Sequence, residues 1–225
     1  MADERTSKRP VTPQRWHSRK VPEELLRESL DVSAWLRAQP ALAGTAPPLN
    51  LDDLPARPVE LFLDWIGAAV EAGVPEPHAA TLATIGLDGI PDARTLIVKG
   101  VDERGWAVAG PRSSRKAAQL AAHPMAALNF WWQPQVRAVR LSGAVHEASP
   151  DESAADLAAR SPAAREGIAP GQWVLWRVVP NRVEFWQGSP DRRHTRLVYE
   201  SRSDGTWARG VVGSTDVRES GERSA

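Results

Sequence analysis

Short segments with strand character, separated by tight turns that contain glycine, make up most of this sequence after residue 78. Leu87-Asp88-Gly89 and Asp102-Glu103-Arg104-Gly105 are two of these turns. Such short links, with few helices between them, suit antiparallel neighbours and do not suit a parallel sheet. The sequence therefore predicts a mainly β protein with peripheral helices (β/α+β), folded as an antiparallel barrel or sandwich. The predicted strands are 79–85, 92–98, 106–109, 125–132, 136–146, 173–179 and 182–186.

Helical spacing is confined to a few segments. The clearest helix is predicted over 59–70, where apolar residues repeat with helical spacing and are expected to pack on one face. These residues are Leu61, Phe62, Trp65, Ile66, Ala69 and Val70. A second helix is predicted over 117–122, before His123-Pro124, and a third over 151–160, whereas 21–39 shows only scattered helical spacing.

The chain length of 225 residues allows one sizeable domain, whereas two full domains would be cramped. Residues 1–57 are predicted to form an N-terminal extension. It is expected to be mobile up to about residue 20 and to continue as a proline-rich, extended arm over 40–58. Residues 58–212 are predicted to form the barrel domain, and 213–225 a flexible tail.

The composition excludes several function classes. Lys and Arg together number 28, as do Asp and Glu, so no overall field would attract nucleic acid or a membrane surface. The lack of cysteine excludes disulfides, thiolate catalysis and Cys-metal sites, and the histidines are too scattered to indicate a metal site. No segment approaches the ~20 apolar residues that span a bilayer, and no glycine-rich nucleotide loop occurs. Because the start of the chain lacks the apolar core of a secretory signal, we expect a cytoplasmic protein.

The segment from Phe185 to Arg196 places an aromatic pair, a turn and several cationic side chains in one short run. Trp186 offers a flat apolar face, and arginines such as Arg192 offer forked donors that suit phosphate or carboxylate. The segment therefore indicates an edge that binds anions and rings. On this segment alone, a basic hairpin tip is an equally good interpretation.

A second cationic cluster lies upstream. Arg94 and Lys99 are an odd number of residues apart, so in one strand their side chains would point to opposite faces and serve different groups. Ser114, Arg115 and Lys116 precede the second predicted helix, where hydroxyl, cationic and free amide donors would meet at one N-terminus. This arrangement suits a phosphate group, although on its own it is also typical of a solvated helix start.

Together with one further stretch, these segments make four blocks. The blocks are Ala83-Thr84-Ile85-Gly86-Leu87-Asp88-Gly89 through Arg94 to Lys99-Gly100, Ser114-Arg115-Lys116 with its helix, Arg137-Ala138-Val139-Arg140-Leu141-Ser142-Gly143, and Val183-Glu184-Phe185-Trp186-Gln187-Gly188 through Arg192 and His194 to Arg196. In this order and spacing they resemble the pyridoxamine 5'-phosphate oxidase family, the FMN-dependent split-barrel flavoproteins. The similarity runs from about Pro58 to about Trp207 with one gap, and the last block is close to a family signature.

The resemblance implies an antiparallel split β-barrel that binds FMN at the interface of a homodimer. The residues implied to hold the FMN phosphate are Arg94, Ser114, Arg115 and Lys116. Those implied to pack against or hold the flavin are Trp186, Arg196 and Gln172. The implied substrate side consists of Lys99, Arg160, Arg192 and His194, of which Arg192 and His194 are the catalytic pair that orients the ring. His194 could accept a proton or serve only as a hydrogen-bond donor.

The sequence departs from the family pattern at the clamp for the substrate phosphate. Asp156 stands where the family has a tyrosine, and Ala164 stands roughly where it has a serine. A carboxylate repels a dianionic phosphate, and the loss of a hydroxyl donor removes about 1 kcal/mol or more. A helix of typical members is also missing before Trp173, so Trp173 and Trp176 are candidates to fill its place, with ordinary core burial as the alternative. Pyridoxine or pyridoxamine 5'-phosphate stays the simplest substrate that the resemblance implies, and the altered clamp makes a substrate without a phosphate group the alternative.

Other departures lie where the family contacts the flavin. Ala109-Gly110 replaces a Tyr-Thr pair that commonly lines the flavin, and Ala138 replaces a glutamine. Because FMN itself carries the hydride and the electrons, the protein is expected to hold the flavin, stack the substrate and set the electrostatics. The chemistry requires no strong acid, no strong base and no metal.

The resemblance implies an FMN-dependent oxidase. In the parent reaction a hydride leaves C4' of pyridoxine or pyridoxamine 5'-phosphate for FMN, and O2 re-oxidises the flavin to give an aldehyde and H2O2. One alternative is an FMN oxidase of another N-heterocyclic or cyclic intermediate, as in phenazine pathways, which the altered clamp supports. Another is a flavin- or haem-binding split-barrel protein without turnover, against which Arg192 and His194 argue. The expected partners are a small heteroaromatic substrate, O2 and a second copy of the chain.

Overall fold

The computed structural model describes residues 32–212. The predicted mobile segment before residue 20 and the predicted tail over 213–225 lie outside the described residues, as does most of segment 21–39. The described residues divide into two units, with the boundary between Ala41 and Leu42. In the described part of the first unit, helix α1 (Val32–Arg37) forms.

The described part of the second unit is built on one nine-stranded antiparallel sheet. Its strands are β1 (Ala79–Ile85), β2 (Pro91–Ile97), β3 (Gly100–Asp102), β4 (Gly105–Pro111), β5 (Met125–Trp132), β6 (Arg137–Glu147), β7 (Trp173–Gln187), β8 (Thr195–Ser201) and β9 (Trp207–Val212). They lie in the order β2-β1-β5-β6-β7-β4-β3, while β8 pairs with β7 and β9 pairs with β8.

The sheet divides at the long strand β7. Residues 173–178 of β7 pair with β4, and residues 182–187 pair with β8. Strand β6 pairs with residues 176–187 of β7, so β4 and β8 share the other edge. One strand therefore joins two parts of the sheet, as in a split barrel, and the predicted mainly β, antiparallel fold class is confirmed.

Most predicted strands are present with small shifts at their ends. The two predicted strands 173–179 and 182–186 are one strand, because Pro180 lies at a register shift opposite Gly143, where a ladder hydrogen bond is not required. Strands β3, β8 and β9 were not predicted. Strand β8 begins inside the cationic segment that ends at Arg196, and these charges obscured its apolar alternation.

Helix α2 (Pro58–Glu71) packs its aromatic residues against the sheet. The ring of Phe62 makes edge contacts with Trp106 at 5.5 Å and Phe130 at 4.9 Å between centroids. The predicted packing face is confirmed except at Val70, which is 60% exposed. Successive helical residues turn by about 100°, so Val70 lies beyond the edge of the buried stripe.

The remaining helices are α3 (Arg115–Ala122), α4 (Pro150–Ala158) and α5 (Pro162–Arg165). Helix α4 begins with a capping box between Ser149 and Glu152 and ends at Ala158. Arg160, predicted to lie on this helix, therefore lies just beyond its C-terminus. Between residues 32 and 212, none of the helices combines the length and the apolarity that a membrane crossing requires.

A network of ion pairs connects α4 with the turn between β3 and β4. Arg177 on β7 contacts Asp102 at 3.1 Å and Glu152 at 2.8 Å. Arg104 contacts the same two carboxylates at 2.8 Å and 2.7 Å. The hydrogen bond from Arg177, followed by that from the N–H of Ser149, lowers the pKa of Glu152 to about 2.

We expect the stabilisation that ionised Glu152 gives the fold to be lost in acid. Because its folded pKa of about 2 lies below the ordinary value of 4.5, its contribution is complete above pH 4.5 and is lost as the pH falls toward 2. Urea unfolding of wild type and Glu152→Gln should therefore differ most at about pH 7 and converge only as the pH approaches about 2. A stability difference that stays constant over this range would contradict the assignment.

Candidate functional site

The residues predicted to bind a phosphate group lie around the N-terminus of α3. Ser114 precedes the helix in an extended conformation, and its side chain accepts a hydrogen bond from the N–H of Ala117 at 3.4 Å. The first amides of a helix lack partners within it, and the helix dipole favours an anion at this end. We call the group of charged and polar side chains here the α3 cluster. It consists of Asp92, Arg94, Arg115, Lys116 and Gln119.

Arg94 is held by several acceptors. Its guanidinium donates to Gln119 at 2.7 Å, to the carbonyl of Leu82 at 3.3 Å and to the hydroxyl of Thr84, and it pairs with Asp92 at 2.8 Å. These partners come from the neighbouring strand β1, from β2 itself and from α3, so the position of Arg94 is fixed by the packing of the domain. The positive charge of Arg94 forms part of the α3 cluster.

Asp92 connects the two arginines of the α3 cluster. One of its oxygens lies 2.8 Å from Arg94 and 3.0 Å from Nε of Arg115, and it accepts a hydrogen bond from Gln119 at 2.8 Å. The hydrogen bond from Gln119, followed by the charges of Arg94 and Arg115, lowers the pKa of Asp92. Asp92 was missed from the sequence, although it lies two residues before Arg94 and hence on the same face of β2.

Lys116 is the least compensated charge of the cluster. It is partly buried, makes no hydrogen bond or ion pair with any described residue, and lies over the ring of Trp176 at 5.6 Å from the centroid. Burial, followed by the charge of Arg94, lowers the pKa of Lys116. A Cβ atom at Gly110 would overlap the Lys116 ammonium group. In this structure the Lys116 ammonium group therefore occupies the space next to the backbone of Gly110.

The second group of predicted residues lies where β7 and β8 meet. Strand register places Trp131, Ala138, Trp186 and Arg196 side by side across β5, β6, β7 and β8. We call these four residues the Trp186 row, and directly paired residues of neighbouring strands share one face. The ring centroids of Trp131 and Trp186 are 6.0 Å apart, and those of Trp186 and His194 are 5.0 Å apart.

The loop between β7 and β8 fixes the orientation of His194. The backbone N–H of Ser189 donates to Nδ1 of His194 at 3.0 Å. Nδ1 therefore carries a lone pair, and the proton of the neutral ring resides on Nε2. Asp191 supports the loop by accepting from the N–H of Arg193 at 2.9 Å. Arg192 has φ of 67°, and its exposed side chain makes no hydrogen bond or ion pair within residues 32–212.

Arg196 shares a buried carboxylate with two other arginines. The side chain of Glu184 is only 4% exposed and lies 3.2 Å from Arg196, 2.8 Å from Arg140 and 3.1 Å from Arg182. Burial acts to raise the pKa of Glu184, but hydrogen bonds from Arg140 and Arg182 outweigh it and lower the pKa overall. Nε of Arg196 makes no hydrogen bond among the described residues, so the contact between Arg196 and Glu184 is an ion pair without a hydrogen bond. Glu184 thus holds Arg196 beside Trp186.

The predicted clamp positions Asp156 and Arg160 meet at Trp173. The indole N–H of Trp173 donates to Asp156 at 2.7 Å, and the Arg160 guanidinium lies over the same indole at 4.4 Å from its centroid. Nε of Arg160 also donates to the carbonyl of Ala164 at 3.4 Å. Trp173 and Trp176 are both buried. Trp173 thus joins the two clamp positions by direct contacts.

Lys99 and Gln172 lie outside these groups. Lys99 is in the short link between β2 and β3, so the expectation that strand alternation turns it away from Arg94 does not apply. Its side chain is exposed and makes no hydrogen bond or ion pair within the described part of the chain. The carbonyl of Gln172 accepts from the N–H of Arg112 at 2.7 Å, which places Gln172 beside the loop that leads to Ser114.

The α3 cluster and the Trp186 row remain separate within one chain. Among the described residues, no hydrogen bond, ion pair or ring contact joins them. Three residues of these groups were missed from the sequence: Asp92, Gln119 and Trp131. Only Asp92 had a local signal, its spacing from Arg94, since the other two depend on helix packing and sheet register.

Comparison with known proteins finds two matching family models. The model described as pyridoxamine 5'-phosphate oxidase matches residues 66–187. The model described as the pyridoxine 5'-phosphate oxidase C-terminal dimerisation region matches residues 173–211, which implies a homodimer.

Curated relatives cover most of the domain. The pyridoxine/pyridoxamine 5'-phosphate oxidase of Cupriavidus pinatubonensis is 37% identical over 190 residues, covering 71% of this chain and 90% of that protein. The protein of the same name from Thermosynechococcus vestitus is 39% identical over 178 residues, covering 65% of this chain and 84% of that protein.

Two solved structures share the architecture. PhzG from Burkholderia lata, in complex with tetrahydrophenazine-1-carboxylic acid, has a TM-score of 0.68 at 27% identity and covers 76% of this chain and 100% of its own. A pyridoxamine 5'-phosphate oxidase-related, FMN-binding protein from Nostoc punctiforme has a TM-score of 0.54 at 18% identity and covers 71% and 99%. The latter similarity concerns the fold alone.

Proposed function

Because the chain belongs to the pyridoxamine 5'-phosphate oxidase family, we propose that it transfers a hydride from a small heteroaromatic substrate to FMN and that O2 takes up the electrons as H2O2. Membership of this family of oxidoreductases makes the chain an FMN-type oxidase. The identities of its substrate and of its electron acceptor are what we propose. The observation that carries the proposal is the α3 cluster.

The α3 cluster fits the phosphate of FMN. Arg94, Arg115 and Lys116 each carry a positive charge against the single carboxylate of Asp92, so the cluster has a positive excess. Lys116 is partly buried without an anionic partner among the described residues, and its pKa is lowered by burial. A phosphate dianion would compensate this charge and accept from the free amides at the helix start. We propose that Arg94, Ser114, Arg115 and Lys116 hold it, and that Gln172, Trp186 and Arg196 contact the flavin.

The residues around Trp186 are suited to binding and orienting rings. When bound, FMN supplies the hydride acceptor and the route of the electrons to O2. His194 would donate from Nε2 to a substrate oxygen or nitrogen, because its Nδ1 already accepts from Ser189. The guanidinium of Arg192, which has no partner among residues 32–212, would bind an anionic or electron-rich substituent. We assign Lys99 and Arg160 to the substrate side as well.

A second candidate substrate carries a carboxylate instead of a phosphate. Asp156 is fixed by the indole of Trp173, and Arg160 lies over the same indole, so a negative charge lies near the cation assigned to the clamp. The similar PhzG structure holds tetrahydrophenazine-1-carboxylic acid, a fused-ring heterocycle with one carboxylate. These observations favour an N-heterocyclic carboxylic acid as the alternative substrate of the same oxidase site.

Anaerobic mixing tests the proposed reaction. The FMN-loaded protein is mixed with pyridoxine 5'-phosphate, pyridoxamine 5'-phosphate or a tetrahydrophenazine carboxylate while the visible flavin band is followed. We expect at least one of them to bleach the band, and admission of O2 to restore it with formation of H2O2. Arg192→Ala should slow the bleaching, whereas Arg193→Ala in the same loop should not. A band that none of these compounds bleaches would refute an oxidase for these ring substrates.

A further inference from the structure

We propose that Trp131 is a ring-binding residue of the flavin site, where it forms with Trp186 a surface of two indoles for the isoalloxazine. The inference rests on the proposed function, since it takes FMN as the ligand. Trp131 lies on β5, outside the sequence blocks that carry the family resemblance, and its place in the site follows from strand register.

The register explains why the two indoles meet. Trp131 is paired with Ala138, and Ala138 is paired with Trp186, so the two tryptophans lie on strands that are two spacings, about 10 Å, apart. Their ring centroids are nevertheless only 6.0 Å apart, so the rings lean toward each other across Ala138. A larger side chain at residue 138, such as the family's glutamine, would extend into this gap. The small side chain of Ala138 therefore leaves the space in which the two rings approach each other.

The exposure of Trp131 points to a ligand. It is 47% exposed, whereas its neighbours Phe130 and Trp132 on the opposite face of β5 are buried in the core. An indole that is half exposed to water has apolar surface whose burial by a ligand would be favourable. The exposed ring lies in the same row as Trp186 and Arg196, which we assign to the flavin. A ligand that covers Trp186 would thus also reach Trp131.

The polarity of the row matches an isoalloxazine. The row passes from the apolar Trp131 through Ala138 and Trp186 to the cationic Arg196, which Glu184 holds in place. The isoalloxazine likewise has an apolar dimethylbenzene end and an opposite end that carries carbonyl oxygens. Indoles suit the first end and a guanidinium suits the second.

Flavin titration of variants tests the inference. Riboflavin carries the same ring as FMN without the phosphate, so the loss of a ring contact should weaken both ligands by the same factor. We expect Trp131→Ala apoprotein to bind FMN and riboflavin each about tenfold more weakly, as measured by flavin fluorescence. Trp131→Phe should restore most of the affinity. Met125→Ala is the matched control, because Met125 is 45% exposed on the same face of β5 but outside the row, and its flavin affinity should be unchanged.

The alternative occupant of this face of the sheet is the second subunit. Light scattering distinguishes a flavin from a subunit as the occupant, because it measures whether the Trp131→Ala protein is still a dimer. A Trp131→Ala protein that remains a dimer with weaker binding of both flavins supports the inference. Unchanged affinity, weaker binding of FMN alone, or dissociation into monomers would each overturn it. A wild-type protein that binds neither flavin would refute the proposed function itself, and with it this inference.

Discussion

Replacing Arg115 with alanine is expected to weaken FMN binding roughly ten- to hundredfold. The substitution removes a charge-assisted partner of a phosphate oxygen, which contributes about 1.5 to 3 kcal/mol. Arg115 is suited to this test because its side chain is 77% exposed and its one ion pair among the described residues is with Asp92, at 3.0 Å from Nε. Its removal should therefore leave the fold intact. Titration of the apoprotein with FMN at fixed ionic strength measures the effect.

Two controls isolate the phosphate contact. Riboflavin should bind wild type weakly, and its affinity should change little in Arg115→Ala. Arg112→Ala is the matched protein control, since Arg112 lies nearby but pairs with Glu147 at 3.0 and 2.9 Å outside the α3 cluster. Arg94→Ala should weaken FMN binding as strongly, with an additional loss of stability, because Arg94 also connects β1, β2 and α3. Full FMN affinity in both the Arg94 and Arg115 variants would place the phosphate elsewhere.

Strand positions could be predicted from the sequence where local signals mark both ends. The prediction for β5 matches its bounds, because Pro124 precedes it and Gln133-Pro134 follows it. Strand β7 was divided in two because proline usually interrupts a strand. Only the pairing with β6 shows that Pro180 falls at a register shift, so a long-range contact decided the outcome.

The same distinction holds for the candidate site. The start of α3 was predictable to within two residues, at residue 117 instead of Arg115, because the cap Ser114 and the helix-forming residues after it are close in the sequence. The partners of Arg94 were not, since Gln119 reaches it only through the packing of α3 on the sheet. Trp131 was missed because only the register of β5, β6 and β7 brings it to Trp186.

The surroundings of two residues that depart from the family pattern became visible only in the structure. From the sequence, Gly110 was a lost flavin contact. In the structure, the space beside it is taken by the ammonium group of Lys116, one of the residues assigned to the phosphate. Asp156 likewise appeared as a repulsive group in a clamp, whereas the structure gives it a specific partner, the indole N–H of Trp173. A substituted residue and the side chain that it contacts can be far apart in the sequence.

Replacing Asp156 with tyrosine is expected to lower KM for pyridoxine 5'-phosphate about tenfold while raising kcat much less. We expect wild type to turn over this substrate weakly and with a high KM, because Asp156 offsets one of the two cations assigned to the substrate phosphate, Lys99 and Arg160. The tyrosine would remove the charge and add a hydroxyl donor, and both changes favour binding of a phosphate dianion. Since the clamp lies away from the reacting carbon, the gain should appear mainly in KM. Steady-state kinetics with pyridoxine 5'-phosphate as substrate measures both parameters.

Asp156→Asn separates the charge from the hydroxyl. The amide oxygen can still accept the Trp173 hydrogen bond, so the packing around Arg160 is retained while the negative charge is lost. It should therefore give most of the fall in KM for the phosphorylated substrate and leave KM for unphosphorylated pyridoxine unchanged. Efficient oxidation of micromolar pyridoxine 5'-phosphate by wild type, or equal changes for both substrates, would contradict the argument. Either result would mean that the carboxylate, although fixed beside Arg160 by Trp173, does not face the bound phosphate.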